Sequence, residues 1–419
     1  MVQYYNLFGA KVGSHYLAMG VLATLFGGTK LALGGGSKAA TQTPPLNAAS
    51  PDEADFIKYI QPRTHPSFEF SSIWVTNILR RKFLDEAEAD KPNLSSPGAA
   101  PSPAKEGEPV ISLYQPTAGT EFDPRCRHSL LLSTAETSRQ PLFHQACIYL
   151  PGHDELYVTS NLLVTTSSST LPVVLISRVK LNRRSGAGEN GNDVVSVEWQ
   201  KLRPPQSMTM PAGGAAYAKG MVFCSQGNQV PGTGGLYYMP RGKPPEALVT
   251  GFYGRDLNSP HDVALTSDGA LWFTDPCHGF ENGIRKRPVL PCHVYRYHPG
   301  NGDLRVMVDG LVRPTGIAFS PDESTAYITD TDAPRSKEDE GLPRNATIYA
   351  FDVIMSASSP FLTNKRVFAV PIKGVPVGVK CDERGYVYAG CGDGIEIWNA
   401  GGMLQAVIEI PDLVLMRTL

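Results

Sequence analysis

A chain of 419 residues with 42% apolar side chains has room for one large domain and a smaller one, and its 41 glycines and 35 prolines favour turn-rich β structure over long helices. A net charge of −2 without a run of like charges excludes the strong positive field that gathers nucleic acid. Seven cysteines with no Cys-x-x-Cys pair exclude the common zinc and redox motifs, and Cys147, Cys224 and Cys381, set in apolar runs, read as buried thiols.

In chain order, the first predicted element is an apolar, small-residue-rich stretch at about 16–34, close to the roughly 20 residues a bilayer-spanning helix needs. Gly20, Gly27 and Gly28 weaken a soluble helix but are tolerated in a membrane helix that packs closely. A short polar helix follows from Ser50 to Tyr59, opened by the capping run Ser50-Pro51-Asp52-Glu53. MVQYYNLFGAKVGSHYLAMGVLATLFGG with the downstream PPLNAASPDEADFIKYI resembles fungal mitochondrial ATP synthase subunit K over residues 1–60. That resemblance implies an inner-membrane anchor and ATP synthase as a partner.

Residues 61–142 form a lead-in with a segment at about 86–109, rich in Ser, Pro, Ala and charge, that cannot bury enough apolar surface to fold and reads as disordered. Asn93 and Asn345 lie in glycosylation sequons, which matter only on the secretory route.

From residue 143 to 419 one sentence recurs five times: alternating strand, turn, alternating strand, third strand. The instances are QACIYLPGHDELYVTS, GAAYAKGMVFCSQG, HDVALTSDGALWFTD, TGIAFSPDESTAYITD and VGVKCDERGYVYAG. Each is followed by a run such as GGLYYMP, HVYRYHPG or GIEIWNAGG. Period-two alternation around a turn is a hairpin, and hairpins repeated at this spacing are propeller blades, each covering its neighbour's face. The expected fold is all-β, a six-bladed propeller plan with five blades evident and the last incomplete, preceded by the membrane-type helix. The run after Ile410, DLVLMRTL, is expected to leave the ring open and its flanking sheets bare.

Aligning the hairpins on their turns places Gln145, His261, Thr315 and Val377 at equivalent positions, where first strands converge on the axis. FHQACIYLPGHDELYVTSN, YGRDLNSPHDVALTSDGALWFTDP and RPTGIAFSPDESTAYITDT, with FLTNKRVFAVPIKGVPVGVKCDERG and GCGDGIEIWNAGG, resemble the gluconolactonase/regucalcin family, most closely its fungal lactonase branch. The resemblance implies hydrolysis of a lactone ring by a divalent cation such as calcium, held by Glu, Asn, Asn and Asp at those four positions. All four are replaced here, and with both carboxylates gone no hard cation is expected to bind.

His261 with Asp262 is a weak candidate base, since neighbours on a strand face opposite ways. Asp275 and Asp330, which end second strands in a Phe/Ile-Thr-Asp pattern, are the remaining acidic candidates for catalysis, although strand-end aspartates more often accept turn hydrogen bonds. Three readings stay open: a lactone hydrolase of impaired activity acting on a lactone or sugar acid, a non-catalytic binding propeller, and two neighbouring genes joined as one. The first segment implies the mitochondrial inner membrane; without it the body is expected to be cytosolic or secreted.

Overall fold

Alternation of side chains along a strand lets one strand serve two cores, and the middle strands of this chain use both faces. In Gly220–Ser225 all six residues are buried. Met221 and Phe223 pack with Ile148, Tyr157 and Ile176 of the preceding sheet, whereas Val222 and Cys224 pack with Val263, Leu271 and Phe273 of the next. The pattern repeats one sheet on: Trp272 turns to Ile317, Ile328 and Phe351, and Tyr327 turns to Val379, Val387 and Trp398. No sheet closes a core by itself, so the sheets are stable only as a stack.

The computed structural model describes residues 4–7, 10–13, 72–76, 109–115, 118, 122, 128–133, 142–163, 172–183, 194–332, 346–392 and 394–409. The chain divides into two units, Met1–Ala48 and Ala49–Leu419. In the first, Tyr4–Leu7 pairs with Ala10–Gly13. The expected apolar span at 16–34, the helix from Ser50 to Tyr59, the insert at 86–108 and the run after Glu409 lie outside the described residues. Among the described residues no helix is long and apolar enough to cross a membrane.

The second unit is a β-propeller with five blades. Blade 1 comprises Gln145–Leu150, Glu155–Thr159, Ile176–Arg183 and Val194–Leu202, and blade 2 Pro211–Tyr217, Gly220–Ser225, Gly235–Pro240 and Glu246–Val249. Blade 3 comprises Val263–Leu265, Leu271–Asp275, His293–His298 and Asp303–Val308, and blade 4 Pro314–Phe319, Thr325–Thr331, Ala346–Ser356 and Ser359–Ala369. Blade 5 comprises Val379–Cys381, Val387–Cys391, Gly394–Trp398 and Leu404–Glu409. Every blade is an antiparallel meander in sequence order, as the recurring hairpins predict.

Two features depart from expectation. The lead-in supplies a fifth strand to blade 5: Val110–Leu113 pairs with Leu404–Glu409, and Ile111, Ala118 and Phe122 bury Ile397, Ala406 and Ile408 beneath them. The outer edge of blade 5 is therefore covered, by residues far upstream whose four-residue run carries no repeat signal. The lead-in also pairs Ser72–Thr76 with His128–Ser133, and the latter lies against the outer strand of blade 1.

The second departure is Cys147. Cys224 is buried and Cys381 half-buried, but Cys147 is exposed. A bulge between Gln145 and Ile148 puts Ala146 and Cys147 at φ of 69° and 49°, so the apolar alternation that predicts a buried thiol does not hold there.

Candidate active site at the propeller axis

Blades 1, 2 and 4 carry a bulge at the same place, where the first strand starts: Gln145/Ile148, Pro211/Gly214 and Pro314/Ile317. Bulges re-aim side chains, and here they gather residues from different blades. Gln145 Nε2 of blade 1 lies 2.9 Å from His261 Nε2, which precedes the first strand of blade 3. His261 Nδ1 lies 3.3 Å from the Thr315 carbonyl oxygen of blade 4. A carbonyl only accepts, so Nδ1 bears the proton and Nε2 receives the Gln145 amide. Burial, and then the neighbouring His278, hold the His261 imidazole well below its ordinary pKa, which keeps it neutral. Val377 of blade 5 presents its backbone to the same place, its carbonyl standing against Gly316 where a Cβ would collide with it.

The blade 3 loop completes this end. His278 opens the one-turn helix His278–Glu281, its ring 5.0 Å from that of His261 and its Nε2 3.3 Å from Thr315 Oγ1. On its far side Nδ1 faces Glu281 at 3.5 Å, and Glu281 accepts from Arg313 at 3.0 Å. Further along the axis Asp262 accepts from Lys380 Nζ of blade 5 at 3.2 Å, a contact that reaches past blade 4. Asp262 also accepts from the backbone N–H groups of Val263 and Ile317, so its carboxylate faces these groups, on a different side from the His261 contacts.

Asp275 and Asp330 spend their oxygens on backbone groups. The Asp275 oxygens accept from the backbone N–H groups of Asn258 and Ser259 at 2.9 and 2.8 Å. Those of Asp330 accept from Val312 and Arg313 at 3.1 and 2.7 Å. Each thus ties down the segment entering its own blade. Burial raises both carboxyls, that of Asp275 to about 7.

The Phe/Ile-Thr-Asp recurrence holds a second signal in its threonine, shared by Thr159 of the Val-Thr-Ser at the end of the matching strand of blade 1. Thr274 Oγ1 donates to the Thr315 carbonyl at 2.8 Å, Thr329 Oγ1 to that of Val377 at 2.6 Å, and Thr159 Oγ1 to that of Ala212 at 2.9 Å. Each threonine clips its blade to the start of the next. Sequence reasoning also missed His278, Glu281 and Arg313, because their chain spacing does not show that the loop folds back over the axis.

The four aligned residues do not suit a hard divalent cation. Calcium takes six to eight oxygen ligands, several of them carboxylate. This end offers a Gln145 amide already engaged with His261, a neutral imidazole, a Thr315 hydroxyl that donates to the Arg313 carbonyl, and an apolar Val377. The nearby Glu281 and Asp262 carboxylates are taken up by Arg313 and Lys380. Among the described residues no group of three His, Cys, Asp or Glu side chains is placed to hold a metal ion.

Comparison with known proteins agrees with this architecture. Lactonohydrolase oryL of Aspergillus oryzae is 29% identical over 278 residues, covering 62% of this chain and 59% of its own length. The gluconolactonase of Zymomonas mobilis is 31% identical over 168 residues, covering 39% and 44%. The chain thus spans less than two thirds of the length of these curated relatives. A solved gluconolactonase from Xanthomonas campestris superposes with a TM-score of 0.51 at 24% identity, over 75% of this chain and 89% of that one, a likeness of fold. Residues 1–61 match the family of ATP synthase subunit K. Residues 189–417, more than half of the sequence, match the SMP-30/Gluconolactonase/LRE-like region, and the chain belongs to that family.

Proposed function

We propose that this propeller is a lactonase relative in which cation-dependent ring opening is lost or reduced to background, and which keeps an axial pocket for a lactone or sugar acid. The observation that carries the reading is the contact between Gln145 and His261: where the family resemblance implies a carboxylate and a neutral oxygen donor, an amide N–H is spent on an imidazole nitrogen. Fold membership by itself does not give activity, so the site decides.

The test compares the natural chain with a variant carrying Gln145→Glu, His261→Asn, Thr315→Asn and Val377→Asp. Millimolar calcium is expected to leave the Tm of the natural chain unchanged and to raise that of the variant, because a ligand stabilises only the state it binds. Lactone hydrolysis above the spontaneous rate is expected in the variant alone. Chelator-sensitive hydrolysis by the natural chain overturns the reading.

The match of residues 1–61 to subunit K supports a second reading, of place rather than chemistry: a propeller carried to the mitochondrial inner membrane, with ATP synthase as neighbour. Antibodies to each half are expected to find both in the inner-membrane fraction on one polypeptide. Separate fractions, together with no transcript spanning the codons for Ile60 and Phe68, favour two joined genes instead.

A further inference from the structure

The loop between the second and third strands of blade 3 leaves the sheet after Asp275 and returns at His293, residues paired directly opposite each other. Cys277 and Cys292 flank its neck, 15 positions apart, with their sulfur atoms 3.2 Å from each other and both side chains half-buried. A disulfide needs about 2.05 Å between sulfurs, with Cα atoms within reach across a neck of this kind. The rest of the loop is already held: Arg285 donates from Nε to the Asn258 carbonyl at 2.9 Å and from Nη1 to that of Asn228 at 3.1 Å, and the Gly279 N–H donates to Ser259 Oγ at 2.9 Å. His278, which touches Thr315 and His261, follows Cys277 directly.

We propose that Cys277 and Cys292 form a disulfide that closes the neck of this loop and fixes His278 over the axial end of the propeller. The bond forms by thiol–disulfide exchange with a small-molecule disulfide such as oxidised glutathione. The Cys277 thiolate attacks one sulfur of the reagent and expels the other as a thiolate; Cys292 then gives up its proton and attacks the Cys277 sulfur, releasing a second thiol. The two cysteines are oxidised, the reagent is reduced to two thiols, and the two protons leave with them. The contact between the two sulfurs lowers the Cys277 thiol and raises that of Cys292, so the pair is written with Cys277 as the first attacker. The site is independent of the lactone reading and stands whether or not the propeller hydrolyses anything.

The full chain, incubated in oxidised or reduced glutathione, is unfolded in guanidinium, alkylated with N-ethylmaleimide and digested with trypsin. The oxidised sample is expected to give a linked pair of the peptides 256–285 and 287–296, which separates on reduction. The other five cysteines are expected to carry the alkyl group in both samples. Closing a loop of this length is expected to raise the Tm by roughly 5 °C and to slow hydrogen exchange over residues 278–285. Neither shift is expected in Cys292→Ser. Full alkylation of Cys277 and Cys292 in the oxidised sample, or their linkage to any other cysteine, overturns the proposal, and because that readout needs no variant it holds even where Cys292→Ser fails to fold.

Discussion

Asp275 is fully buried, and its two oxygens hold the N–H groups of Asn258 and Ser259. Burial lifts its carboxyl to about 7, against the pull of those two donors, whereas an unfolded aspartate titrates near about 4. Between those values the folded chain keeps a proton that the unfolded chain has released, so this group's contribution to stability falls as pH rises from about 4 through about 7. Asp275→Asn removes that slope and turns an amide NH₂ towards one of the two buried N–H donors, an unmet pairing that costs about 2 kcal/mol. Denaturant titrations across this range are expected to show a flatter pH dependence for the variant, with its deficit largest at the acid end; parallel profiles contradict the assignment. The aspartates were visible in the sequence as a recurrence. That such aspartates accept turn hydrogen bonds was legible too; which N–H groups they hold was not, because the partners are backbone groups that any residue supplies.

Blade contacts at the axis are made by backbone as much as by side chains. Thr329 Oγ1 donates to the Val377 carbonyl at 2.6 Å, and Gly316 fits against the pair because it has no Cβ. Gly316→Ala therefore places a methyl against the Val377 carbonyl and within 3.0 Å of Thr329 Oγ1, and overpacking of this kind costs about 1–3 kcal/mol. The expected outcome is a lower denaturation midpoint at an unchanged m-value, with Ala at the exposed Gly152, where a Cβ meets nothing within 4 Å, as a control for replacing glycine in a blade. An effect no larger than the control's removes the claim that blades 4 and 5 meet here. The hairpins of all five blades were legible because period-two alternation is a local property. The bulges that aim Gln145 and Thr315 were not, since an extra residue leaves no mark in an alternating run already broken by glycine and proline.

At the scale of the molecule, four cores between successive blades hold the stack and a fifth is closed by the lead-in. Ile111 of the added strand is buried against Ile397, Ala406 and Ile408. Ile111→Asp is expected to strip that strand from blade 5, lowering the Tm by several degrees and opening residues 110–113 to proteolysis. Unchanged protection there denies the strand its part in stability. A five-fold repeat announces a propeller from sequence alone, but it cannot announce a strand that belongs to the last blade and is written before the first. The contact between Ser112 Oγ and Glu409 spans 297 positions. A ribosome releases such a segment long before its partner in blade 5 exists. Joining ends so far apart carries a closure entropy that no local hairpin meets, so this four-residue ribbon is expected to find its edge only after the blades between have formed.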